Sequence, residues 1–242
     1  VRTKIPVLDI MIDSVTMQEA LDAIETFLTE DRPHLVATAN AEMVMMAKED
    51  QELACILNKA DLVVPDGAGV VWAARYLGHS MSERVAGYDL TQRLLAQAAR
   101  KGYRVFLFGG APGVAEKAKE TAERLYPGIV IVGTRNGYLA DGEEHQLVDT
   151  IRKEKPAILL VALGVPKQEK WLYRNLDTLQ IPVCIGVGGT FDVMAGNVRR
   201  APLWMQQANL EWLFRLLCQP YRAIRMLALP RFVCQVIRYK KD

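Results

Sequence analysis

The stretch RVFLFGGAPGVAEKAKETAERLY, residues 104–126, decides how this 242-residue chain is wound. Arg104–Phe108 is an apolar run of strand length. Phe108-Gly109-Gly110-Ala111-Pro112-Gly113 is a glycine-rich turn, and Val114–Tyr126 carries apolar residues at helical period. A strand apolar on both faces, followed at once by a helix, is the repeating unit of a parallel sheet covered on both sides. The unit recurs in both directions. Further strand candidates are Pro6–Met11, Leu35–Ala39, Leu62–Val64, Ile129–Val132, Ile158–Ala162 and Val183–Val187. Helix candidates are Met17–Leu28, Ala41–Asn58, Gly69–Leu77, Leu90–Ala99, Glu143–Lys153 and Lys167–Asn175, the first opened by a capping-box pattern, Thr16 with Glu19. The expected fold is α/β, a mostly parallel sheet with helices on both faces.

The alternation ends near Arg199. Beyond it Leu210–Leu217 is dense in Leu, Trp and Phe, and Pro220 and Pro230 set off Tyr221–Leu229 and Arg231–Tyr239 as short helices. The expected division is an α/β body over 1–197 and a helical appendage over 198–242. The formal charge of +2 splits the same way. From Val198 to Asp242 nine Lys+Arg face two acids, giving +7, and the rest carries 21 basic and 26 acidic residues, giving −5. An acidic body argues against a nucleic-acid partner.

Half the residues are hydrophobic, yet no uncharged apolar run approaches the ~18 residues needed to cross a bilayer. Val1 to Asp9 lacks a basic-then-apolar leader pattern, so a cytosolic location is expected. The four cysteines show no C-x-x-C spacing and read as reduced and structural. His34, His79 and His145 lie far apart in sequence, which disfavours a histidine–cysteine metal site.

In doubly wound sheets ligands bind beyond the carboxyl ends of the strands, and six polar clusters fall there. Thr38-Ala39-Asn40 can orient a substrate, or Asn40 can cap the next helix. In Val64-Pro65-Asp66-Gly67-Ala68-Gly69, Asp66 can take a proton from an attacking hydroxyl, or cap a helix. In Ser82–Asp89, Arg84 can pair with a diphosphate, or stand as a solvated loop arginine. Gly109 and Gly110 can cradle phosphate at a helix start, or simply make a tight turn. Phe108 stands where a dinucleotide fingerprint needs its first glycine, and Val132-Gly133-Thr134-Arg135 lacks the ribose-binding acid, so NAD is disfavoured. Lys167 and Gln168 open a helix where an anion and sugar hydroxyls can be met. Gly188 and Gly189 form a glycine-rich turn before Asp192, which can accept from a nucleobase N–H or cap a helix turn.

Together T-A-N, P-D-G, E-R-V-A-G-Y-D, F-G-G-A-P-G, G-x-P-K-Q-E-x-W and G-V-G-G-T-F-D resemble the WecG/TagA/CpsF glycosyltransferases, the TagA-like members above all, from about Pro6 to the tail. The resemblance implies a Rossmann-like fold of glycosyltransferase-E type and an inverting enzyme without metal or cofactor. TagA-like members move ManNAc from a UDP-ManNAc donor to the 4-hydroxyl of a GlcNAc acceptor on undecaprenyl diphosphate, in wall teichoic acid linkage-unit synthesis. The alternatives are a UDP-ManNAcA transferase of surface-polysaccharide assembly and a non-catalytic UDP-sugar-binding protein. The same resemblance casts Asp66 as general base and Thr38, with Asn40 beside it, as orienting group. It puts Arg84 and Gln168 in the donor pocket, and Tyr138 and Asp192 around uracil and ribose. The absence of a D-x-D agrees with metal freedom. Positive charge for the leaving UDP would then come from Arg84, Lys167, backbone amides and tail arginines.

The basic, aromatic-rich tail reads as a peripheral anchor on an anionic membrane at the inner face of the cell membrane. Arg215, Arg222 and Arg225 are placed near the acceptor diphosphate by an appendage that, in this family, is thought to close over the site. The alternative is a tail that packs on the body or forms a homo-oligomer interface.

Overall fold

A computed structural model describes residues 2–140, 142–218 and 227–240, with the side chain of Arg215 also outside the description. Six parallel strands form the central sheet: β3 (His34–Ala39), β4 (Leu62–Pro65), β5 (Arg104–Gly109), β6 (Val130–Arg135), β7 (Ile158–Ala162) and β8 (Val183–Gly186). They lie side by side in the order β4-β3-β8-β7-β5-β6. The fold is α/β and Rossmann-like, as expected.

Each interior strand divides its side chains between two cores with period two. Leu35, Ala37 and Ala39 of β3 join one core and Val36 the other. Likewise Phe106 and Phe108 of β5 oppose Val105 and Leu107, and Leu159 and Val161 of β7 oppose Ile158 and Leu160. The first core is closed by α2 (Ala41–Glu49), α3 (Gln51–Lys59), α4 (Ala68–Tyr76), α7 (Glu143–Lys153) and α8 (Lys167–Leu179). The second is closed by α1 (Met17–Phe27), α5 (Gly87–Lys101), α6 (Val114–Leu125) and the short α9 (Thr190–Met194). Leaving neighbouring strands, β3 therefore turns to one face through α2, while β8 turns to the opposite face through α9. That divergence opens a crevice at the carboxyl edge.

Three local expectations are corrected. Pro6–Met11 is not one strand of the sheet but the middle of an antiparallel hairpin, β1 (Lys4–Val7) and β2 (Ile10–Asp13). Its turn runs through Leu8 at φ 52°. The hairpin guards the sheet's edge: buried Asp13 accepts the Val63 N–H of edge strand β4 at 2.8 Å, a contact that blunts an otherwise open ladder. The helix expected over Ala41–Asn58 breaks at Asp50, whose Oδ1 accepts the Leu53 N–H (3.1 Å) and caps α3. The capping box before α1 forms as expected, with Thr16 Oγ1 accepting the Glu19 N–H (3.2 Å) and Glu19 Oε2 accepting the Thr16 N–H (2.7 Å).

The third correction concerns the tail, which continues through α10 (Leu203–Gln207), α11 (Glu211–Cys218) and α12 (Ala228–Tyr239). Pro230 does not interrupt the last helix. It lies in the first turn, where a missing N–H costs no hydrogen bond. Phe232 and Val236, both buried, press α12 into the first core beside α2 and α4. Lys48 Nζ reaches Gln235 (2.6 Å), and Lys240 Nζ lies 4.4 Å from the Tyr76 ring centroid while donating to the Tyr76 carbonyl (2.6 Å). Arg222 and Arg225 lie outside the described residues, as does the Arg215 side chain. The cysteines are unpaired, and burial pushes the Cys184 thiol well above its usual range, so it behaves as a small hydrophobe.

Candidate active site

At the crevice between β3 and β8 lies a cleft of about 130 Å³, walled by the segments that follow β3, β4, β7 and β8. Thr38 is the next-to-last residue of β3, where its neighbour across the ladder is Val64 of β4. Asp66 directly follows β4 and is held by its own N–H on the Ala39 carbonyl (2.8 Å). The N-cap of α4 is the next residue, Gly67, which has no side chain to close the helix start.

What brings Asp66 and Thr38 together is Gly87, the first residue of α5. A β-carbon there would stand 3.3 Å from the Asp66 Oδ2 and 3.2 Å from the Thr38 Cγ2. A residue without a side chain lets the helix start this close to both without either having to shift. The positive end of the α5 dipole is thus set against the cleft. Tyr88, next along, also lines it. Burial raises the Tyr88 phenol above its usual value and keeps it neutral, although Arg200, 4.6 Å from the ring centroid, opposes that shift. Arg200 also holds Asp89 through two 2.7 Å contacts, which ties the segment after α9 to the first turn of α5.

Asn40 takes the capping role weighed for it. Its Oδ1 accepts the Met43 N–H (3.0 Å) and caps α2, and the residue still forms part of the cleft wall. Gln168 is buried in the wall. Its Oε1 accepts the Gly188 N–H (3.0 Å) and its Nε2 donates to Glu169 Oε1 (2.8 Å). Each end of the amide makes one bond, so Gln168 fixes Gly188 while keeping a second N–H and a second lone pair. The amide fits because residue 186 is glycine: a β-carbon there would lie 2.6 Å from Gln168 Nε2. Gly188 and Gly189 complete that side of the cleft.

The other expected site residues are not in this wall. Gly109 sits at φ 127°, where a β-carbon would stand 2.4 Å from the Ala162 carbonyl oxygen, so the glycine lets β5 turn tightly against β7. Gly110 donates to the Ala162 carbonyl (2.9 Å) and accepts from the Gly137 N–H (2.8 Å). The tight-turn reading accounts for both. Tyr138 is 72% exposed on the loop after β6, Lys167 is exposed at the start of α8, and Asp192 is half-buried in α9 beside the cleft residue Val193.

Arg84 lies outside this wall as well. It lines a neighbouring groove of about 660 Å³ with Val71, Trp72, Arg75 and Tyr76, and its guanidinium pairs with Glu211 of α11. Among the described residues no group of three or more His, Cys, Asp and Glu is close enough to hold a metal ion.

Sequence reasoning missed Gly87, Glu169 and Glu211. Gly87 had a signal, a glycine opening a helix directly after a polar loop. The other two had none, because a glutamate in a helix ordinarily faces water.

The profile of the Glycosyl transferase WecG/TagA/CpsF family matches residues 5–242. The chain belongs to that family. Its relatives include the N-acetylglucosaminyldiphosphoundecaprenol N-acetyl-beta-D-mannosaminyltransferases of Bacillus spizizenii and Staphylococcus aureus. The first is 37% identical over 216 residues, covering 89% of this chain and 83% of the relative. The second is 32% identical over 240 residues, covering 98% and 94%. The cleft residues are therefore those of a glycosyltransferase family member, and the crevice is where its chemistry is sought.

Proposed function

We propose that this family member transfers ManNAc from UDP-ManNAc to the 4-hydroxyl of GlcNAc on undecaprenyl diphosphate, with inversion and without a metal. One observation carries the reading: Asp66 and Thr38, distant in sequence, meet across Gly87 in the cleft where β3 and β8 diverge. Asp66 takes the proton of the acceptor hydroxyl as its oxygen attacks the donor's anomeric carbon. The new C–O bond forms on the face opposite the breaking C–O bond to phosphate, and the electron pair leaves with UDP. Thr38 orients the reacting groups. The α5 N-terminus and the backbone around Gly188 supply positive potential for the diphosphate. The relatives' names support this donor sugar and this acceptor.

Transfer takes place at the inner face of the membrane, with residues 198–242 as the docking appendage. No described helix is long and apolar enough to cross a bilayer. Leu203, Trp204, Trp212 and Leu217 of α10 and α11 leave apolar surface exposed beside a net charge of +7. The Asp66→Asn variant keeps the shape of the cleft and removes the base. Its turnover should fall at least 100-fold, the low end of what a positioned base contributes, with UDP-ManNAc affinity retained. Full turnover with a lipid-linked acceptor would refute the assignment.

A further inference from the structure

We propose that the groove between α4 and the 80–84 loop binds the prenyl-diphosphate end of the acceptor, with the diphosphate on Arg75 and Arg84 and the first isoprene units on Trp72 and Tyr76. This rests on the reading of the cleft as the transfer site and names the second half of that site. The groove, about 660 Å³, is lined by Val71, Trp72, Tyr76 and the two arginines, with Asn209 of the appendage at its wall, and its one carboxylate among the described residues, Glu83, accepts the Met17 N–H. Cleft and groove share two pieces of chain. Asp66 faces the cleft and Ala68 the groove, while Gly87 faces the cleft and Arg84 the groove. Two or three residues of backbone, at most ~10 Å, separate the members of each pair.

That spacing suits the acceptor's own chemistry. When the sugar's 4-hydroxyl stands at Asp66, its diphosphate lies across the width of one hexose, and the lipid must continue beyond it. Trp72 and Tyr76 lie one helical turn apart, stacked with ring centroids 5.3 Å apart and planes at 21°. Trp72 is 37% exposed. Such a pair offers a continuous apolar face to a branched hydrocarbon. Two guanidiniums at its edge match a dianionic diphosphate. The Arg84 Nε is buried and has no hydrogen-bond partner among the described residues, so this guanidinium is not fully satisfied by Glu211. Its partner Glu211 belongs to α11, so an arriving diphosphate competes with the appendage for the same guanidinium.

The test is the fluorescence difference between the wild-type chain and Trp72→Phe, titrated with farnesyl diphosphate, farnesol, inorganic diphosphate and UDP. A Trp72 signal that saturates with farnesyl diphosphate at a concentration at least tenfold below farnesol or inorganic diphosphate is expected. Arg84→Gln should raise that concentration about tenfold. No Trp72 response to farnesyl diphosphate overturns the proposal, and an equal response to UDP gives the groove to the donor and overturns it as well. The readout needs no turnover, so it separates the groove from the transfer reading. Saturation without any ManNAc transfer would leave the groove standing and defeat the reaction. In a transfer assay, Trp72→Ala should raise KM for an undecaprenyl acceptor about tenfold and leave KM for UDP-ManNAc unchanged. Equal rises for both substrates would mark general damage and count against the groove.

Discussion

Glu169 shows how much one buried carboxyl can set. It is 1% exposed, its Oε2 lacks a hydrogen-bond partner among the described residues, and burial pushes its pKa from 4.5 up to about 7, against the opposing hydrogen bond from Gln168. The folded chain therefore holds this proton at pH values where the unfolded chain has released it. Between about 4.5 and about 7 the folded state binds the extra proton, so stability is greatest below that window and declines as pH rises through it. The expected loss is on the order of 2 kcal/mol. In Glu169→Gln it should vanish, which urea midpoints at pH 5 and pH 8 will read; wild-type and variant curves that run parallel would remove Glu169 as the source. Because Glu169 holds Gln168 and Gln168 holds Gly188, the same titration reaches the cleft wall. That Asp66 and Thr38 stand at one cleft was legible in the sequence because both fall at the exit of an apolar strand, while the roles proposed for them came from the family resemblance. Glu169 was not legible, since nothing local reveals that its helix face turns inward.

At the level of elements, α12 is the piece whose role the sequence left open. Phe232 and Val236 stand four apart and define an apolar stripe, but periodicity cannot say whether lipid or protein covers it. The covering elements, α2 and α4, lie more than 150 residues away in the chain. Phe232→Ala should weaken this docking by about 3 kcal/mol, the lower end for a buried phenylalanine. Faster amide exchange along α12 and the facing side of α2 would report it; unchanged exchange would mean that the helix is held by Lys48 and Lys240 alone. The central strands were readable almost to the residue, because strands buried on both faces must be unbroken apolar runs. The hairpin was not, because Leu8-Asp9 carries none of the glycine or asparagine that usually marks a tight reversal. The break at Asp50 was available in principle, since aspartate offers its side chain to a new helix start.

Across the whole molecule, charge and apolar exposure are segregated. The body is net acidic, and the tail combines net +7 with Leu203 and Trp204 exposed at 73% and 63%. With α12 packed on the body, the proposed membrane contact would fall to α10 and α11. Replacing Leu203 and Trp204 together by Ser should cut partitioning onto anionic vesicles at least tenfold, since each buried apolar side chain is worth roughly 1.5–3 kcal/mol. High salt should weaken binding of both forms; undiminished co-sedimentation of the double variant would move the contact elsewhere. The docking of α12 also has a consequence for how the protein is made. The first core holds Ile5 and Val7 from the opening hairpin together with Phe232 and Val236 from the last described helix. A nascent chain cannot complete that core until residues 228–239 have left the ribosome, so α2 and α4 emerge early and wait with apolar faces uncovered. During that interval the growing polypeptide is open to chaperone capture or to sticking to its neighbours on the same message.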